Sequence, residues 1–161
     1  NDALTSLNVP QLTSTDRSFH VTNNDALTSL NVPQLTSTSG TFEVTNNDAL
    51  TSLNVPQLTS TSGTFEVTLR QRNNDALTSL NVPQLTSTGD SFQVALTSLN
   101  VPQLTSTGTN FQVLDNAALT SLNVPQLTST GSSFFVRARR PCHSLRRRVT
   151  PSKSAATTTP P

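Results

Sequence analysis

Two motifs recur at spacings that could do chemistry, and one histidine stands apart from them. Thr-Ser-Thr closes a twelve-residue segment, LTSLNVPQLTST, that begins without change at Leu4, Leu27, Leu50, Leu77, Leu96 and Leu119. Alternate residues of a flat strand share a face. On a flat strand the pairs Thr13 and Thr15, Thr36 and Thr38, Thr59 and Thr61, Thr86 and Thr88, Thr105 and Thr107, and Thr128 and Thr130 would therefore form two parallel rows of hydroxyls. A bend between the two threonines would instead turn the second of each pair inward, and threonine is in any case a common strand residue. Asn-Asp recurs at 1–2, 24–25, 47–48 and 74–75 and would stack carboxylates near one edge, as a calcium ladder needs. The Gly-rich loops with interleaved Asp that such ladders use are absent, and Asx turns are the simpler reading. His20 stands near Asp16 and Arg17 in the first copy only, with no nucleophile or second ligand repeated beside it, and reads as a solvated side chain.

The remaining chemistry is excluded more directly. Serine and threonine are abundant, but none has a nearby histidine base to activate it. The chain shows no phosphate-binding loop, no zinc spacing and no paired carboxylates, so it is expected to be no enzyme and to take no cofactor. One cysteine, Cys142, permits neither an intrachain disulfide nor a thiolate metal site. There is no apolar run long enough for a membrane span. No Asn-x-Ser/Thr glycosylation site with x other than Pro is present.

Charge divides the 161 residues in two. Residues 1–136 hold all nine acids and three basic residues, a net charge of −6, whereas residues 137–161 hold seven basic residues and no acid. Arg137, Arg139, Arg140, Arg146, Arg147 and Arg148 form a candidate basic arm. Its composition predicts disorder. Such an arm suits nucleic acid, an anionic membrane surface or an import receptor, or it lies back on the acidic portion. Without interleaved aromatics to stack bases, sequence-specific nucleic-acid binding is not expected. The codons CGA CGC CCT TGC would encode Arg139 to Cys142, and read one nucleotide later they give Asp-Ala-Leu where the next repeat was due. The arm is therefore also readable as a frame-shifted repeat. Asn1 in place of Met, with no signal peptide following, reads as a fragment, a processed form or an incomplete gene model.

The elements that must position these residues come from the repeat. Its unit is clearest at Leu27 to Ala49, LTSLNVPQLTSTSGTFEVTNNDA, 23 residues, and self-similarity at such a period is the signature of a solenoid. The first leucines are spaced 23, 23, 27, 19 and 23 residues apart. The long interval comes from four extra residues around Leu69-Arg70-Gln71-Arg72. The short one comes from Val94 running straight into Ala95-Leu96, a coil not expected to close normally. Leu27, Leu30, Val32, Leu35, Phe42 and Val44 are the candidate core. Leu30-Asn31-Val32 and Phe42-Glu43-Val44 alternate with period two, as half-buried strands do. Pro33 stops the first strand because it has no N–H and a fixed φ. Gly40 and Asn46-Asn47-Asp48 supply turns. One coil cannot bury enough apolar surface to offset the ordering of its own backbone, so stability must belong to the stack.

The pattern Leu-x-x-Leu-x-Val-Pro-x-Leu, followed by Gly, Phe-x-Val and Asn, resembles the leucine-rich-type repeat of receptor L-domain proteins over about residues 1–136. A bacterial-surface leucine-rich repeat of similar length is less similar, since its Ala-Phe pair is absent. The resemblance implies a right-handed β-solenoid, an extracellular or cell-surface location, and binding or structural work without catalysis. One departure is Thr38 and its equivalents, where the family carries Ile or Val.

The expected architecture is thus all-β: a right-handed β-solenoid of about six stacked 23-residue coils over 1–136, with a disordered C-terminal tail over 137–161. The expected function is that of a non-catalytic surface or secreted repeat protein that binds an unknown protein or surface ligand through an outward strand face of Asn, Thr and Glu or Gln. Regular Thr-x-Thr arrays on β-solenoids are similar to ice-binding faces, which makes ice binding the alternative, by analogy of fold. A recently expanded repeat without selected function is a third reading. Uncapped coil ends predict end-to-end self-association.

Overall fold

The structure, a computed structural model, describes residues 3–68, 77–96, 98–114 and 119–137. These residues form strands and turns with no helix among them, and the strands stack in parallel as a β-solenoid. Each repeat makes one rung of three short strands. The first strands are β1 (Ser6–Asn8), β4 (Ser29–Asn31), β7 (Ser52–Asn54), β10 (Ser79–Asn81), β13 (Ser98–Asn100) and β16 (Ser121–Asn123). The second strands are β2 (Ser14–Thr15), β5 (Ser37–Thr38), β8 (Ser60–Thr61), β11 (Ser87–Thr88), β14 (Ser106–Thr107) and β17 (Ser129–Thr130). The third are β3 (Phe19–Thr22), β6 (Phe42–Thr45), β9 (Phe65–Thr68), β12 (Phe92–Val94), β15 (Phe111–Leu114) and β18 (Phe134–Arg137). Six rungs are therefore joined by about five circuits.

Rungs pair position for position. Leu7 lies opposite Leu30 and Leu30 opposite Leu53, and Phe19, Phe42 and Phe65 follow one another in the third sheet. Identical rungs in register put identical side chains above one another at the inter-strand spacing of about 4.8 Å. The phenylalanines accordingly stack from Phe19 to Phe134, with ring centroids 4.9–5.2 Å apart and planes within 8° of parallel. Such parallel rings, farther apart at their centres than van der Waals contact requires, are the offset stacks that aromatic quadrupoles favour.

The expected core is the observed one. Leu27, Leu30, Val32, Leu35, Phe42 and Val44 are all sealed from solvent. Pro33 ends β4 as its missing N–H requires, and the chain turns there, with Leu35 N–H donating to the Val32 carbonyl at 3.4 Å. The glycines stand at the bend between the second and third strands, where a turn was expected, but none has positive φ. They are needed for close approach. A Cβ added at Gly89, Gly108 or Gly131 would overlap the backbone of Ser62, Gly89 or Gly108 in the rung beneath. The left-handed positions belong to Asn23 and Asn46, each at φ 57°, a conformation asparagine tolerates.

Irregular spacing is absorbed between the third sheet and the first. The four-residue insertion falls between Thr68 and Leu77, and registers on either side survive, with Ser79 on Ser52 and Phe92 on Phe65. The 19-residue coil closes in two sheets of three: Ser87 pairs with Ser106 and Phe92 with Phe111. The first sheet splits there, into β1-β4-β7-β10 and β13-β16. Without an Asn-Asn-Asp turn, Val94 passes directly to Ala95, whose N–H reaches the Val67 carbonyl at 3.1 Å. The following strand then misses its neighbour. Leu80, beside the split, is only half-buried, whereas Leu53 one rung below is sealed.

Candidate binding surface

The repeat offers three outward faces, and period-two alternation decides what each displays. On the first sheet the central leucine of Ser-Leu-Asn points inward while serine and asparagine point out. The asparagines join into a ladder: the side-chain amide of Asn31 donates to Asn8 Oδ1 at 2.9 Å, Asn54 to Asn31 at 2.7 Å, and Asn81 to Asn54 at 2.7 Å. The ladder stops where the sheet splits and resumes with Asn123 donating to Asn100 at 2.8 Å. An open groove of about 500 Å³ runs along this face, lined by Ser29, Asn31, Ser52, Asn54, Ser79 and Asn81. The Ser29, Ser52 and Ser79 hydroxyls have no hydrogen-bond partner among the described residues. Each ladder amide also keeps one N–H, because an amide has two donors and the ladder uses one. The groove is thus uncharged, lacks aromatics, and repeats the same free donors and acceptors along the solenoid axis.

On the third sheet the outward row is His20, Glu43, Glu66, Gln93, Gln112 and Phe135. His20 Nδ1 lies 2.8 Å from Glu43 Oε2, with half of the histidine exposed. Thr45 and Thr68 donate to Glu43 and Glu66 Oε1 at 2.9 and 3.1 Å. His20 is thus solvent-exposed as expected. Its partner is not the neighbouring Asp16 but the residue 23 positions later at the same place in the repeat.

The threonine pairs split. Thr13, Thr36, Thr59, Thr86, Thr105 and Thr128 are exposed at the corner before the second strand. From Thr36 upward each donates its hydroxyl to the carbonyl of the equivalent threonine one rung below, at 2.9–3.1 Å. Thr38, Thr61, Thr88 and Thr107 are 2–3% exposed and face the core, as do Thr15 and Thr130 in the half-open end rungs. The inward hydroxyls of Thr15, Thr38, Thr61 and Thr88 are satisfied by the carbonyl two residues on, at 2.8–3.1 Å. The bend at this corner, not a flat strand, is what the chain builds, and one threonine row reaches the surface instead of two. At Thr15, Thr38, Thr61 and Thr88 an inward hydroxyl is accommodated because a carbonyl of the same rung is there to accept from it.

The Asn-Asp turns are organised by asparagine. Asn47 is wholly buried and donates to the Val21 and Thr45 carbonyls at 2.8 and 3.2 Å. Asp25 is exposed, and no group of three or more His, Cys, Asp or Glu side chains able to hold a metal occurs among the described residues. Of the basic arm, Arg137 is exposed at the end of β18. Arg139, Arg140, Arg146, Arg147 and Arg148 lie outside the described residues, as does most of the 137–161 segment. No helix among the described residues is long and apolar enough to cross a membrane.

These features define a class: a tandem-repeat parallel β-solenoid with polar ladders on its outer faces. No protein-family model matches the chain, and comparison with curated proteins and with solved structures likewise finds no match.

Proposed function

We propose that this chain is a non-catalytic binding scaffold, displayed at a cell surface or secreted, in the manner of the receptor L-domain-like leucine-rich repeats its sequence pattern resembles. The observation that carries the reading is the serine–asparagine groove: free hydroxyls and amides repeat at one-rung intervals, with neither charge nor an aromatic platform. A surface of that chemistry complements an extended, uncharged, hydroxyl-rich polymer, which makes a neutral polysaccharide the ligand class. The test is retention of the purified chain on immobilised neutral and anionic glycans, alongside an Asn54→Lys variant. Retention on neutral glycans alone, lost in the variant while its circular dichroism is unchanged, supports the proposal. Equal retention of both proteins, or none by either, ends it.

A second reading, ice binding, draws on the single exposed row from Thr13 to Thr128, whose members repeat at one-rung spacing. Thermal hysteresis and crystal shaping decide it. Unshaped ice at high protein concentration removes it.

A further inference from the structure

The serine–asparagine face is interrupted in mid-chain, and the interruption has a local cause. Four residues separate Val21, Val44 and Val113 from the Ala-Leu that opens the next rung, and none separates Val94 from Ala95-Leu96. The second and third sheets run unbroken past that point, with Thr88 on Thr107 and Phe92 on Phe111, while β10 and β13 do not pair.

Hydrogen bonding breaks at the same place. Val32 N–H donates to the Asn54 carbonyl at 2.9 Å, Val55 N–H to the Asn81 carbonyl at 3.0 Å, and Val101 N–H to the Asn123 carbonyl at 3.1 Å. Val82 N–H, which the same pattern would give to the Asn100 carbonyl, has no partner among the described residues. The side-chain ladder lacks its Asn100-to-Asn81 step there as well. The groove ends with it: its lining reaches Ser79 and Asn81 and takes in no residue of β13.

We infer that this split is a stop, which limits the run of polymer held in one register and divides the face into two sites that bind separately. The inference rests on the reading of this face as a site for a neutral polysaccharide. A linear polymer gains affinity from a repeating surface only while each further unit meets the next rung in the same way. The rungs rise by about 4.8 Å, close to the length of one extended sugar unit. Strands β4, β7 and β10 keep that spacing without interruption, and β13 and β16 begin a second run beyond the split. A long chain has to bend across the offset to reach both runs, and linked sites add affinity only where geometry lets one ligand engage both.

The experiment is calorimetric titration of the full chain with soluble neutral glucan oligomers of β-1,4 and β-1,3 linkage, a tetramer and an octamer of each. Two variants move the stop. Insertion of Thr-Asn-Asn-Asp between Val94 and Ala95 restores the 23-residue interval, and deletion of residues 45–48 copies the short interval between β6 and β7. Circular dichroism verifies that both fold, and slower solvent exchange of the Val82 amide verifies that the insertion has joined the sheet. The insertion variant should raise the octamer-to-tetramer affinity ratio at least several-fold above the parent's. The deletion variant should bind the tetramer several-fold more weakly than the parent. Oligomers bound by the parent, with the same ratio in the insertion variant or the same tetramer affinity in the deletion variant, overturn the stop and leave the face a glycan site. No binding of any oligomer by any of the three proteins overturns the reading of the face, and the stop with it.

Discussion

Asn24 and Asn47 occupy the same place in successive rungs, and the lower one hangs from the upper. The backbone N–H and the side-chain amide of Asn24 both donate to Asn47 Oδ1, at 3.1 Å each, while Asn47 Nδ2 spans the Val21 and Thr45 carbonyls. One buried amide thus makes four hydrogen bonds, three of them between successive rungs and one within its own.

Replacing Asn47 should therefore be expensive out of proportion to its size. Asn47→Leu keeps the volume but strands buried partners, each costing about 1–3 kcal/mol. The measurement is a urea midpoint followed by circular dichroism, because the chain has no Trp or Tyr to report by fluorescence. A loss no greater than that of Asp25→Ala, at an exposed neighbouring turn position, would count against the bridging role.

The phenylalanine stack predicts a gradient. Phe65 is fully buried between Phe42 and Phe92, whereas Phe134 has one neighbour and is 53% exposed. Phe65→Ala should cost about 3–5 kcal/mol, and Phe134→Ala well under half of that. Equal losses in thermal unfolding would mean that the stack is not the source of stability.

Thr107 and Thr61 should respond oppositely to the same change. Thr61 Oγ1 donates to the Gly63 carbonyl at 2.9 Å, whereas Thr107 Oγ1 is buried with no partner among the described residues. Thr107→Val removes an unsatisfied hydroxyl and should stabilise by about 1 kcal/mol, while Thr61→Val should destabilise by a similar amount. Tm values for the two variants, taken side by side, decide the matter.

Gly108→Ala tests the close approach of rungs. Its Cβ would overlap the Gly89 carbonyl, and moving backbone apart to admit it should cost about 1–3 kcal/mol. At Gly40 the nearest obstacle is the Ser18 hydroxyl, which rotates more readily, so Gly40→Ala should cost less.

Period and alternation made most of the fold legible. Leu27, Leu30, Val32, Leu35, Phe42 and Val44 mark the core because apolar residues at fixed places in a repeat have only one shared interior, and all six are buried. Thr36 and Thr38 were not decidable in the same way. Strand alternation puts them on one face, and only a corner between them, set by how the rung turns, puts them on two. Gly108 was legible as a glycine but not for its reason, since the atom it avoids belongs to a residue 19 positions earlier. The His20–Glu43 pair lay within reach of the sequence: in an in-register stack the neighbour of any side chain is the residue one period away, a stronger rule here than adjacency along the chain.

The passage from the third sheet to the first accepts four residues more than the common period with the Phe and Ser registers on both sides intact, whereas four fewer keeps the second and third sheets in register and splits the first. That corner behaves as a slack joint in an otherwise fixed gauge. Extra residues spliced there need not agree in length with anything beneath them, so it is the natural cassette position for a grafted loop. Whole 23-residue units can likewise be added or removed without changing any existing pairing, which makes the reach of the molecule adjustable in steps of one rung.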